Sequence, residues 1–436
     1  MTTESTSATR APRLLINGTV HSTTEPYAES LLVKDGLVAW VGDEDTARRG
    51  TEDTVEVQDL DRALVAPAFI GWVDSPVLDG PEPADSRPAL DQALTLGYGA
   101  VRLDLRISRE RFLGLRINTA EGEQSFDRYD APGVVEQLLQ QVLTEAREHP
   151  LPVFPHLHVT DMGGLDLEDP RSSSFLTEVV QMMRVLDEAA GAPLALAVST
   201  EDLFAGRSTD QAEEILLEIR RTASGAQRQL IIDGADDAGA AAAGDRAAAL
   251  VDAVVSSHER LRREKMTPSP ATPTVLSGFD TSDRHLWERL LNTGVHVIFR
   301  APGHLATALS VGLPSSAAPE QGRNPWELIS QHVHHDADPV SVRAGFNAQV
   351  RGAYRSLAGG AAGGAAGGQL NPGAPATYAV WEVDSLAVQT PDSRTAAWST
   401  DARARTPLLP YLDGESFPEL VHTVIDGAIL FSRDAE

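Results

Sequence analysis

The sequence contains no cysteine among its 436 residues. That absence excludes disulfides, thiolate metal ligands and a cysteine nucleophile together. No apolar run comes near the ~20 residues that a membrane-spanning helix needs. Residues Met1–Pro12 are polar, rich in Ser and Thr, and have no apolar stretch, so no secretory leader is expected and the compartment reads as cytoplasmic. Basic residues are scarce, with 36 Lys and Arg against 63 Asp and Glu and a net charge of −27. A surface of that sign repels nucleic acid and anionic membranes, so neither is expected as a partner. Such acidity speaks for solubility and carries no catalytic meaning. Also missing are a Gly-x-Ser-x-Gly elbow, a P-loop and a Gly-x-Gly-x-x-Gly after a strand.

What is present is a globular composition, 42% hydrophobic, on a chain long enough for one barrel-sized domain with a companion. From Arg13 to about Pro67, short β-like runs alternate with Asn17-Gly18 and Asp35-Gly36, the pairs that favour tight hairpins. A different rhythm follows. Apolar runs of strand length recur at Leu64–Trp72, Ala100–Leu105, Pro152–Val159, Leu194–Val198, Gln229–Ile232, Thr274–Leu276, Val295–Phe299 and Ala308–Val311. Helical patterns separate several of them, at Val134–Glu148, Phe175–Ala190, Thr209–Ala223, Asp245–Lys265 and Asp283–Asn292. Near-continuous apolar strands alternating with helices argue for a parallel sheet covered on both faces. Eight units suggest a (β/α)8 barrel, although a doubly wound open sheet fits the periodicity almost as well. The β character returns near the end at Tyr378–Val383 and around Asp426-Gly427. The organisation expected is therefore a flexible tail over 1–12, a small β domain from 13–66 and 372–436, and a barrel over 67–357. The Gly/Ala-rich stretch 358–371 reads as a linker or loop.

Several strings resemble the amidohydrolase superfamily, in particular its long-chain, formamide-deformylase-like branch. Leu15-Ile16-Asn17-Gly18 with Leu32-Val33-Lys34-Asp35-Gly36-Leu37-Val38 is similar to that family's opening hairpins, and Leu64-Val65-Ala66-Pro67-Ala68-Phe69-Ile70 to its entry into the first barrel strand. Asn324-Pro325-Trp326-Glu327-Leu328-Ile329 resembles the segment after the eighth strand. Pro372–Trp381 and Thr423-Val424-Ile425-Asp426-Gly427 resemble the return into the small β domain, and Gly244-Asp245-Arg246-Ala247 the start of a barrel helix. The resemblance runs from Arg13 to Phe431. It implies a TIM-type barrel with a small β-sandwich-like domain, and divalent metal at the barrel mouth activating water against a non-peptide C–N bond. It also implies that many such chains assemble as homo-oligomers.

The ligand positions that the resemblance implies do not carry over. The His-x-His pair after the first strand falls on Val73 and Ser75, and valine has no ligating atom. The fourth-strand region, Leu194–Thr200, has no Lys. The fifth-strand His falls on Asp233 or Ala241, the sixth on Ser277-Gly278, and the eighth-strand Asp on Gly312-Leu313-Pro314.

Other residues offer a rearranged site. His156-Leu157-His158 places two imidazoles on one face of a strand, and Asp161 or Asp104 could complete a divalent metal site, for zinc for example. The plainer alternative is one hydrogen-bonded and one exposed histidine. Asp233, with Asp236 and Asp237, follows the fifth strand, where barrels keep catalytic groups, and otherwise forms a solvated acidic loop. Asp74 and Ser75 stand in the vacated first-strand place, as general base and hydrogen-bond donor or as filling. Asp104 with Arg106 reads as a ligand contact or an internal ion pair. His304 lies near the expected mouth, and Ser277 replaces a ligand there, both as substrate contacts, whereas His332, His334 and His335 read as a solvated patch. The function expected is a C–N hydrolase with a degenerate metal site, Asp74 and Asp233 being its catalytic candidates. The alternative is a non-catalytic module that binds a small molecule or supports assembly.

Overall fold

The computed structural model describes residues 11–50, 54–75, 85–112, 115–118, 125–128, 134–162, 165, 170–234, 240–358, 367–390, 398–399 and 407–433. Most of the tail, the Gly/Ala repeat from 359, and Asp236 and Asp237 lie outside the described residues. Eight parallel strands form one sheet of a TIM-type barrel: Phe69–Asp74, Tyr98–Ser108, Val153–Thr160, Ala195–Ser199, Leu230–Asp233, Thr274–Ser277, Val295–Phe299 and Ser315–Ala317. They pair in chain order from first to eighth. Trp72 of the first strand and Ala318, just past the eighth, belong to one buried cluster with Ala195, Ala197, Ile231, Val275 and Ile298. The barrel interior is thus a packed layer of side chains.

The two faces of each strand meet different surroundings, and this alternation positions the site. On the second strand Val101, Leu103, Leu105 and Ile107 join the large core shared with the helices. Arg102, Asp104 and Arg106 alternate with them and face the interior. In the third strand His156 lies in register with Asp104, and His158 with Arg106. Farther round, Ser199, Asp233 and Ser277 are level with one another.

Two strands differ from the sequence reading. The apolar run 64–72 is two strands: Leu64–Pro67 belongs to a terminal sheet, and the barrel begins at Phe69. The eighth strand is not Ala308–Val311, which lies in the helix Leu305–Val311; Gly312 ends that helix at φ 84° and the strand follows at Ser315–Ala317. An apolar run of that length cannot distinguish a buried strand from a buried helix turn. The helices fall close to their expected places, at Val134–Glu148, Pro170–Ala190, Thr209–Gly225, Ala240–Glu264 and Arg284–Leu290. Ser208 and Gln211 start the third of these with a reciprocal capping box.

Two further sheets lie at the chain ends, a four-stranded one from the N-terminal segment alone and a five-stranded one shared by both ends. One has the order Leu37–Gly42, Ser30–Lys34, Arg13–Ile16, Glu56–Asp59. The other runs Thr19–Val20, Leu64–Pro67, Tyr378–Glu382, Glu419–Ile425, Ala428–Ser432. Asp35-Gly36 and Asp426-Gly427 make tight hairpins, both residues of each pair having positive φ. Asn17-Gly18 does not: the strands it joins lie in different sheets, so this pair is a crossing point. Among the described residues no helix is long and apolar enough to cross a membrane.

Candidate active site

The C-terminal ends of the barrel strands hold a buried, charged cluster. Asp104 sits at its centre, with no solvent exposure. One carboxylate oxygen lies 3.2 Å from His156 Nε2, while the other accepts from Arg106 Nε at 2.7 Å and lies 3.2 Å from His158 Nδ1. Arg106 also reaches Asp233 at 3.5 Å. Arg300 lies 3.8 Å from Asp233 and 3.6 Å from Asp74, and its guanidinium carbon stands 4.4 Å above the Trp72 ring. The Trp72 indole donates to Asp74 at 3.1 Å and meets the His156 ring edge-on.

Proton affinities follow from these contacts. Burial raises the pKa of Asp104, but the charge and hydrogen bonds of His156 and His158 outweigh it and hold the carboxyl well below the ordinary range. For His156 burial is the larger effect, and its pKa is lowered despite Asp104. For His158 burial also lowers the pKa, yet the hydrogen bond and charge of Asp104, with Asp233 behind it, raise it overall. The two imidazoles two residues apart therefore do different things: His156 is held neutral and His158 toward its charged form.

Asp104, His158 and Asp233 each bring one ligand atom within 4.8 Å of the others, and all three are buried. One imidazole and two carboxylates are a donor set that zinc, manganese or iron accepts. His158 Nε2 is buried without a hydrogen bond, as an ion at this point would require, whereas Asp104 Oδ1 has His156 Nε2 beside it at 3.2 Å. The residues therefore fit a divalent ion, with Arg106 as its competitor for the two carboxylates.

Asp161 is exposed, at φ 60°, and takes no part in this group; the acidic partner of His158 is Asp104. Asp74 and Asp233 are brought to the same guanidinium, that of Arg300. The interior-facing positions of the first strand are Trp72 and Asp74. Val73 packs instead among the helix-side core, and the Ser75 N–H continues the strand pairing to Asp104. Ser277 is fully buried, and its hydroxyl has no hydrogen-bond partner. His304 makes its contacts with Asp280, at 3.0 Å, and with the His335 ring. His332 is not part of a solvated patch: it is fully buried and edge-on to Phe299, because its side of the helix Pro325–Val333 packs on the barrel. Arg300 is the site residue that the sequence reading misses. An Arg just past an apolar strand is the available signal, since period two turns it to the face of Ile298.

No family model and no curated protein matches this sequence. Solved structures match its fold along nearly all of its length. Escherichia coli guanine deaminase is 14% identical with a TM-score of 0.58, over 97% of this chain and 100% of that one. Triazine hydrolase from Arthobacter aurescens is 12% identical with a TM-score of 0.57, over 97% and 95%. 5-Methylcytosine deaminase from Klebsiella pneumoniae, liganded with 5-fluorocytosine, is 13% identical with a TM-score of 0.57, over 97% and 98%. At these identities the likeness is one of fold.

Proposed function

We propose, for a chain that has the fold of the amidohydrolase superfamily, that it hydrolyses a non-peptide C–N bond of a small molecule held at the barrel mouth. The observation that carries this reading is the buried convergence of Asp104, His158 and Asp233 at the strand ends where such barrels keep their chemistry. Those three residues would hold a divalent ion, which when bound polarises a carbonyl or amidine and lowers the pKa of water to ~7. Because His158 must release its proton to serve as a ligand, binding weakens as the pH falls. Asp104 orients both imidazoles. Asp74 keeps a carboxylate 40% exposed at the mouth, hydrogen-bonded by Trp72, as an acceptor for a proton from attacking water. Trp72, buried in the interior layer of the barrel, packs against the His156 ring and the Arg300 guanidinium.

A second reading, a barrel that binds a small molecule without turning it over, is favoured by Arg106. Its guanidinium already bridges Asp104 and Asp233 and so holds a positive charge where the ion would lie. One experiment separates the two. The purified chain is analysed for zinc, manganese and iron, and its melting is followed with each metal added. It is then incubated with a panel of small amides, amidines and amino-substituted heterocycles while ammonia release is measured. Hydrolysis predicts about one ion per chain, a raised melting temperature and ammonia release, all lost in Asp233→Asn. A metal-free chain whose melting ignores metals, and which releases no ammonia, sinks the hydrolase reading.

A further inference from the structure

Two guanidiniums face the buried carboxylates of the site, and they are held in different ways. Arg300 is closed in: its side chain is 5% exposed, the Trp72 ring lies 4.4 Å from its guanidinium carbon, and its contacts with Asp74 and Asp233 are 3.6 and 3.8 Å long. Arg106 is more tightly bound and less enclosed. Its Nε donates to Asp104 Oδ2 at 2.7 Å and its Nη2 lies 3.5 Å from Asp233 Oδ2, yet its side chain is 22% exposed. It stands two residues beyond Asp104 on the strand Tyr98–Ser108, and so nearer the mouth. Asp104, Asp233 and His158 are all buried. Arg106 therefore bridges two of the three ligand groups from the side that already meets water.

A divalent ion and this guanidinium compete for one place. Arg106 occupies an oxygen of each ligand carboxylate, and an ion set among Asp104, His158 and Asp233 would lie against its positive charge in a poorly screened interior. Charge balance favours exchange over addition. With Arg106 withdrawn, a divalent ion and Arg300 together neutralise Asp74, Asp104 and Asp233. With Arg106 retained, one positive charge is left over in the cluster. Arg300 has no comparable route to solvent, whereas a long arginine stem lets Arg106 carry its head outward to the mouth.

We propose that Arg106 is a displaceable internal cation, which holds the place of a divalent ion between Asp104 and Asp233, withdraws toward the mouth when the ion binds, and so sets the affinity of the site. The proposal rests on the reading that Asp104, His158 and Asp233 hold such an ion, and adds what controls their doing so. Ion binding is then opposed by the breaking of a part-buried ion pair, and removing the guanidinium tightens it.

The test measures zinc and manganese binding by calorimetry, with melting curves at each metal concentration, on the full chain and three variants of it. Arg106→Gln should bind at least one of the metals about ten-fold or more tighter than the unaltered chain. Arg106→Lys keeps the charge and should stay within about three-fold. Arg284→Gln removes the same charge from an exposed pair with Glu288 and should also stay within about three-fold. Without metal, Arg106→Gln should melt lower, because the buried carboxylates lose a partner, and metal should raise its melting temperature more than that of the unaltered chain. In the unaltered chain, bound metal should quicken the modification of Arg106 by 2,3-butanedione, read by mass spectrometry of its peptide. Equal affinity in Arg106→Gln and the unaltered chain, no binding in either included, overturns the proposal. So does equal tightening in Arg106→Lys or Arg284→Gln, an Arg106 that stays as protected with metal bound as without, or an Arg106→Gln chain that does not fold even with metal. The hydrolase reading fails separately. An unaltered chain without metal or ammonia release sinks that reading, while tight binding by Arg106→Gln still upholds this one.

Discussion

Two buried histidines with opposite proton affinities, His158 and His332, give the clearest pH signature at the scale of single residues. His158 is raised by Asp104, so the stability it contributes is present below its unfolded pKa and lost as pH rises through the higher folded value. His332 is the reverse. Burial first, and then the charge of His335, push it down to about 4 from an ordinary 6.5. The unfolded chain takes up that proton below 6.5 and the folded chain only near 4, so stability falls as pH drops through that window and levels out beneath it. A shift of that size corresponds to about 3 kcal/mol. His332→Leu should flatten the acid limb of stability between pH 6.5 and 4 by about that amount, as urea unfolding at each pH would measure. An unchanged acid limb would show that His332 is not held neutral.

At the scale of elements, the turn into the second barrel strand ties the barrel to the terminal sheets. Gly97 has φ 81°, and a Cβ there would come 2.5 Å from Trp381 and 3.2 Å from Leu420. Both partners belong to strands of the five-stranded sheet. Gly97→Ala is expected to cost about 3 kcal/mol, through left-handed backbone strain added to the clash with an indole that is itself buried. The urea midpoint should fall with an unchanged slope. A loss under about 1 kcal/mol would mean that the strand and the sheet are not rigidly packed at this point. The same scale shows which elements are legible in the sequence. Helix Val134–Glu148 is readable to the residue, since its apolar period and its length agree. The eighth strand is not readable, because Ser315–Ala317 is three small residues with no apolar signature, held in place by pairing to Val297–Phe299.

At the scale of the molecule, the two chain ends depend on each other. Tyr378–Glu382 is flanked by Leu64–Pro67 on one side and Glu419–Ile425 on the other, and the Asp35-Gly36 and Asp426-Gly427 turns touch. Val424 packs in the small-domain core while Ile425 packs in the barrel-side core. Removing residues 419–436 therefore uncovers a long strand edge and opens both cores at once. The truncated chain should lose cooperative unfolding and aggregate, seen as loss of the monodisperse peak in size-exclusion chromatography and of the single transition in circular dichroism. A truncated chain that stays monodisperse and melts in one transition would show that the C-terminal strands are dispensable.

By itself the sequence determined the alternation of apolar strands with helices and the residue types at the strand ends, since each of these is a matter of local period. The barrel's closure and the choice of Asp35-Gly36 and Asp426-Gly427 over Asn17-Gly18 as hairpins were left to the tertiary structure. His156 and His158 are readable as a pair on one face by the same local period. The partners of that pair were decided only in three dimensions. Asp161 is nearest in sequence, but it turns outward after the strand ends. Asp104, 54 residues before His158, lies against it because parallel pairing sets the second and third strands in register. The first strand turns Trp72 and Asp74 inward and leaves Val73, like Phe69, in the helix-side core, a one-residue difference in phase from Val73 and Ser75. Slipping a strand by one residue exchanges its faces, and no single strand carries the information that says which face the barrel will close around.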